Sequence, residues 1–215
     1  MYFQDRHHAG QLLSAKLEKY KNDSNAVVIG LPRGGVVTAF EVASKLGKPL
    51  DIVYPRKIGA PFNPELAIGA ITESGEGLLN KDIVKQLGIS PDYIKRTIER
   101  EKQVAQQRLK NYRKDHEKIS LKNKDVIIVD DGLATGATMK AAIKSAKAEG
   151  AAKIIVAVPV SPPDTFEEIK DMVDEIVVIM TPSNFSAVGQ FYENFSQTED
   201  QEVVELLGKN RTIKY

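Results

Sequence analysis

Cysteine is absent from the 215 residues, which excludes disulfides, thiolate metal sites and a cysteine nucleophile, and gives no reason to invoke an oxidising compartment. A cytoplasmic location is the expectation that follows. An excess of either charge is lacking too. Thirty basic residues stand against 29 acidic ones, a formal charge of +1, so no global field draws the molecule to nucleic acid or to an anionic membrane. Any anion site must be local. No stretch approaches the roughly 18 consecutive apolar residues of a membrane span. The opening MYFQDRHHAGQLLSAKLEKY carries charges throughout, so neither a span nor a secretory leader is expected.

What is present is an ordinary globular composition, 42% hydrophobic and 27% charged, in a chain long enough for one good-sized core. The pattern predicts a single domain, 1–215, with an insertion over about 58–122. Leu12, Leu13, Leu17 and Tyr20 recur at helical spacing. Ala26 to Gly30 is a wholly apolar, β-branched run of the kind buried on both faces of a parallel sheet. A helix over Val36 to Leu46 follows, stopped by Gly47, and then a second strand from Asp51 to Tyr54; together they form a β-α-β unit.

Arg56 to Pro64 holds Gly59, Pro61 and Pro64 and reads as a loop. Leu66 to Thr72 and Gly77 to Asn80 can pair as a hairpin around Glu73 to Glu76. Ser90 as N-cap and Pro91 at the first helical position open a long, mostly solvated helix striped by Ile94, Ile98, Ala105, Leu109 and Tyr112. Strand and helix then alternate: Val126 to Val129, Gly136 to about Glu149, Lys153 to Val158, about Asp164 to Met172, and Ile176 to Met180. The fold class is α/β with a mainly parallel sheet flanked by helices. The tail carries Phe185, Phe191, Tyr192, Phe195 and Tyr215, enough to pack as a cap, and ends in a helix opened by Thr198 with Gln201 three residues on.

The chemistry concentrates in Val126 to Thr138. An apolar strand delivers two adjacent carboxylates, Asp130 and Asp131, to the edge where open α/β sheets bind ligands. The small residues Ala134, Thr135, Gly136, Ala137 and Thr138 then lead into a helix whose first N–H groups are free and whose dipole is positive there. Such a loop suits a phosphate. An acid pair beside it suits the vicinal hydroxyls of a ribose 5-phosphate. Taken alone, Asp-Asp-Gly is an ordinary turn and Thr-Gly-Ala-Thr an ordinary helix start.

The thirteen residues together closely resemble the signature with which type I phosphoribosyltransferases bind 5-phosphoribosyl 1-pyrophosphate (PRPP). The form is nearest the adenine enzyme's, with Ala134 before Thr-Gly. Hypoxanthine-guanine enzymes carry an aspartate at the Ala134 position, and that departure speaks against those purines. LPRGG at 31–35 lies where the family keeps a pyrophosphate loop, often with a nonproline cis peptide. The resemblance therefore implies pyrophosphate contacts from Arg33, Gly34 and Gly35, and from Arg56 and Lys57 at a mobile loop that closes over PRPP. Arg56 and Lys57 read equally as solvated surface charges, and Glu65 as a loop acid or an element start. Phe3, Arg6 and Gly10, NPELAIGAI, VPVSPPDT and the tail from Thr181 extend the likeness over nearly the whole chain. They are similar to a bacterial and archaeal group of phosphoribosyltransferases with unassigned acceptor.

The resemblance implies transfer of the 5-phosphoribosyl group to a small nitrogenous acceptor with release of pyrophosphate. Mg2+ would arrive through the ligand or water near Asp130 and Asp131, with no direct protein site. The resemblance also implies a hood over the site, about 181–215 plus the N-terminal segment, in which Phe185, Phe191 and Tyr192 could stack on the acceptor or simply form hood core. A homodimer is one assembly the resemblance allows. A second reading, of a different class, is a regulator of the same fold that binds PRPP or a nucleotide without turnover. The basic stripe Lys95, Arg96, Arg100, Lys102, Arg108, Lys110, Arg113 and Lys114 could serve nucleic acid, but it reads better as a solvated face laced with pairs such as Glu99 with Lys102. His7, His8 and His116 read as surface residues rather than zinc ligands.

Overall fold

A computed structural model describes residues 2–114 and 116–212, with Pro64 and Glu65 described by backbone alone. In chain order the first half runs α1 (Arg6–Lys16), β1 (Ala26–Gly30), α2 (Gly34–Leu46), β2 (Leu50–Ile52), β3 (Arg56–Ala60), β4 (Asn63–Ile71), β5 (Gly77–Leu79), α3 (Lys81–Gln86) and α4 (Pro91–Arg113). The second runs β6 (Asp125–Val129), α5 (Ala137–Ala148), β7 (Lys153–Val160), α6 (Pro163–Lys170), β8 (Glu175–Met180) and α7 (Asp200–Thr212).

The β-branched runs build one parallel sheet in the order β2-β1-β6-β7-β8. Alternate residues of each strand enter different cores, as a period of two requires. Val27, Ile29, Val126, Ile128, Ile154 and Val156 face α5 and α6. Val28, Ile127, Val129, Ile155 and Ala157 face α1, α2 and α7. Both faces are covered, so these strands carry no polar side and read as continuous apolar runs. Because the helices after β1 and β6 leave to opposite faces, the carboxyl ends of these two neighbours form the topological switch point where such sheets hold ligands.

Between β2 and β6 the chain builds a separate antiparallel sheet, β3-β4-β5. The reading of 56–64 as a loop is corrected here: Arg56–Ala60 is a strand, and β4 begins at Asn63. Ile58 and Ala60 are buried in a small core with Ile68, Ile71 and Ile89. Gly59 sits at a register shift in the ladder and Pro61 at the turn, so residues that usually break elements mark a bulge and a hairpin here. Helix α3 has too few apolar residues to show a period; Asn80 caps it, accepting from the Ile83 N–H.

Ser90 caps α4 as expected, accepting from the Tyr93 N–H. Ile94 and Ile98 pack in the small core, whereas Leu109 and Tyr112 lie in the main one, so one helix braces two cores. The expected Glu99–Lys102 pair is not formed; Glu99 accepts from Gln103 instead. The first strand-helix unit differs only at boundaries: α1 starts earlier, and β2 is three residues long. Helix α7 begins at Asp200, so the buried Thr198 is not its cap. Val203, Leu206 and Leu207 of α7 pack in the main core beside α2.

Candidate active site

Gly30 and Val129 are register partners, so the loops after β1 and β6 leave the sheet side by side. The peptide between Pro32 and Arg33 is cis, and α2 starts immediately at Gly34. A Cβ on Gly34 would lie 2.1 Å from Asp131 Oδ2, and one on Gly35 would lie 2.5 Å from Asp130 Oδ1. Only glycine lets this loop come so close to the acid pair.

Asp130 Oδ1 accepts from the Asp131 N–H at 2.9 Å, and Asp131 Oδ2 accepts from Arg6 Nε at 2.7 Å. Burial pushes the Asp130 carboxyl well above the usual carboxylate range, and the neighbouring charge of Asp131 adds to the rise. Burial raises Asp131 too, against the opposing hydrogen bond and charge of Arg6. The two acids titrate as a pair, with a proton held more readily than by exposed aspartates.

Sequence reasoning gave Arg6 no role, since nothing local marks a residue 125 positions from its partner. Its guanidinium lies 3.8 Å from the centroid of the Phe195 ring and donates to the Ser196 carbonyl at 2.7 Å. The N-terminus, the tail and Asp131 are thus joined through one side chain. Tyr192 adds a second tie, its hydroxyl donating to the Asp131 carbonyl at 2.6 Å; burial keeps that hydroxyl protonated.

Gly136 takes the left-handed conformation, φ 70°, and opens α5. Ala134, Thr135 and Thr138 are exposed. Among the described residues, none of the backbone N–H groups from Ala134 to Thr138 is taken by a protein acceptor. The turn is therefore a cup of free donors at a helix N-terminus, and unsatisfied amides of this kind attract an anion. A cavity of about 680 Å³ flanks it, between Thr135 and Ala137 on one side and Gly69, Leu79 and Met172 on the other.

The structure brings together Asp130, Asp131, Gly34, Gly35 and the 134–138 turn. Two of the basic residues, Arg33 and Arg56, lie against acids. Arg33 lies 3.8 Å from Glu199 and Asp200 at the start of α7. Arg56 pairs with Glu101 of α4 at 2.8 Å, while Lys57 is exposed. Phe191 and Tyr192 are buried with Phe3 in the cap, and Phe185 stacks on Phe191. Their rings are hence cap core before they are anything else. His7 pairs with Glu41 and the His8 ring accepts from the Gln4 N–H. The side chain of Glu65, and Tyr215, lie outside the described residues.

An acid pair, a glycine loop and a turn of untaken amides thus meet at one switch point of an α/β sheet. The chain matches the phosphoribosyl transferase domain family over residues 5–196 and belongs to that family. It is 45% identical over 208 residues to a Mycobacterium tuberculosis protein named "Putative phosphoribosyl transferase". That match covers 96% of this chain and 46% of the relative, so the chain spans about half the length of such relatives. Among solved structures, TT1426 from Thermus thermophilus superposes with a TM-score of 0.83 at 42% identity, covering 97% of this chain and 99% of that one. A purine phosphoribosyltransferase from Pyrococcus horikoshii shares the fold, with a TM-score of 0.51 at 21% identity over 93% of this chain and 95% of that one. Among the described residues no helix is long and apolar enough to cross a membrane.

Proposed function

We propose that the chain binds PRPP and transfers its 5-phosphoribosyl group to a small nitrogenous acceptor, releasing pyrophosphate. The observation that carries this reading is the untaken set of N–H groups from Ala134 to Thr138 lying one turn from the acid pair. In this reading the cup and the hydroxyls of Thr135 and Thr138 hold the 5-phosphate. Asp130 and Asp131 accept from the ribose hydroxyls, and their negative charge favours the positive charge that develops on the sugar. Gly34 and Gly35 admit the pyrophosphate, and Arg33, Arg56 and Lys57 are its cations once Arg33 and Arg56 exchange their acidic partners for phosphate oxygens. The acceptor nitrogen attacks ribose C1 as the bond from C1 to the pyrophosphate oxygen breaks, and the acceptor's proton leaves to solvent.

Among the described residues no group of three His, Cys, Asp or Glu side chains converges as a metal shell. The site fits an Mg2+ carried by the substrate's own oxygens beside Asp130 and Asp131. When so bound, the ion neutralises charge on the leaving pyrophosphate. The acceptor would lie toward the cap of Phe185, Phe191 and Tyr192, where Phe195, stacked under Arg6, offers a further aromatic face.

The test is release of pyrophosphate from PRPP and Mg2+ across a panel of purines, pyrimidines and pyridine carboxylates. One acceptor should support turnover that depends on Asp131. Tight PRPP binding with no turnover on any of them would instead make the protein a PRPP-responsive regulator.

A further inference from the structure

Beyond the cup itself, the segment that follows β7 reaches back to it. The chain turns at Pro162 and enters α6, where Thr165 is the third helical residue. A threonine there commonly serves its own helix or faces water, yet Thr165 is buried and its hydroxyl donates to the Ala134 carbonyl at 2.7 Å. Its methyl Cγ2 lies 2.9 Å from where a Cβ on Gly136 would sit. One turn further on, Glu168 pairs with Lys140 of α5, so the two helices are fastened on both sides of the turn.

The Ala134–Thr135 peptide is trans. In a planar trans peptide the carbonyl and the following N–H point in opposite directions. A carbonyl held toward α6 therefore turns the Thr135 N–H the other way, to the open side of the turn. We propose that Thr165 is a positioning residue for the phosphate cup: its hydroxyl sets the direction of the Thr135 N–H and so governs affinity for the phosphate end of the ligand. The inference rests on the reading of 134–138 as that cup.

Substrate fragments separate this role from a general one. Ribose 5-phosphate engages the cup, whereas Mg2+-pyrophosphate engages the loop at Gly34 and Gly35. In calorimetry Thr165→Val, which keeps the side chain's volume, should weaken ribose 5-phosphate by roughly threefold to tenfold, the worth of one hydrogen bond. It should leave pyrophosphate affinity unchanged, and Thr165→Ser, which keeps the hydroxyl, should bind both fragments as the wild type does. If the valine variant does not fold, Thr165→Ala must show the same split. Equal affinity of Thr165→Val for ribose 5-phosphate, parallel loss of both fragments, or failure of serine to restore binding would overturn the role. A wild type that binds pyrophosphate but ignores ribose 5-phosphate overturns the cup reading itself, and this inference with it.

Discussion

Arg6 and Asp131 form an ion pair that is nearly enclosed, with side chains 11% and 16% exposed. Removing one partner leaves the other charge poorly solvated. Arg6→Gln should therefore lower stability by about 2–3 kcal/mol at pH 8, less than full burial would give because both side chains keep some water. The loss should shrink toward pH 5, as the unpaired Asp131, whose carboxyl then rises further, becomes protonated; thermal melts at the two pH values check this. Glu73 poses the opposite case. Both its oxygens are buried without a hydrogen bond, Lys118 is 3.6 Å away, and burial raises the carboxyl. The folded state thus holds a proton that the unfolded state has already released, so stability falls as pH rises from the ordinary carboxylate value through the raised one. Glu73→Gln should raise the Tm by about 2–4 °C at pH 8, a gain of roughly 1 kcal/mol, and change little at pH 4. None of these partnerships was legible in the sequence. Arg6 with Asp131 and Arg113 with the buried Asp51 are set by tertiary folding, and no local period reports them.

At the scale of elements the reading was sound wherever one strong signal ruled. Ala26 to Gly30 and Val126 to Val129 are buried on both faces, so continuous apolar character identified them as parallel strands. Ser90-Pro91 named the start of α4 by its own capping chemistry. It failed where breakers sit inside an element: Gly59 and Pro61 disguised the β3-β4 hairpin, whose pairing across the ladder supplies what local propensity lacks. The turn between β6 and α5 was legible as a turn because small residues there precede a helical period, and Gly136 shows why most plainly. Its φ of 70° and its contact with Thr165 both exclude a side chain. Gly136→Ala should cost about 1–2 kcal/mol for the left-handed backbone alone. It should also weaken ribose 5-phosphate binding; a denaturant titration with unchanged midpoint would contradict the assigned geometry.

For the molecule as a whole, near-zero net charge supplies no global field, so in the proposed reading a ligand is drawn only by one edge of one sheet, where β1 and β6 end together. The N-terminal segment, the tail and α7 all converge on that edge, through Arg6, Tyr192 and the acids that hold Arg33. Segments far apart in sequence therefore meet at one edge, and the family match likewise spans residues 5–196 instead of stopping at one motif. The resemblance already joined the N-terminal segment to the tail, but the side chains that make the junction could not be read from pattern, because they depend on which face of the sheet each helix covers. The most direct test of the account is calorimetric titration of PRPP with Mg2+ into the wild type and Asp131→Asn. Saturable binding at one site per chain is predicted, weakened at least about tenfold by the substitution, as expected for a lost hydrogen bond from a charged group. No binding to the wild type, or equal affinity in the two proteins, would contradict it.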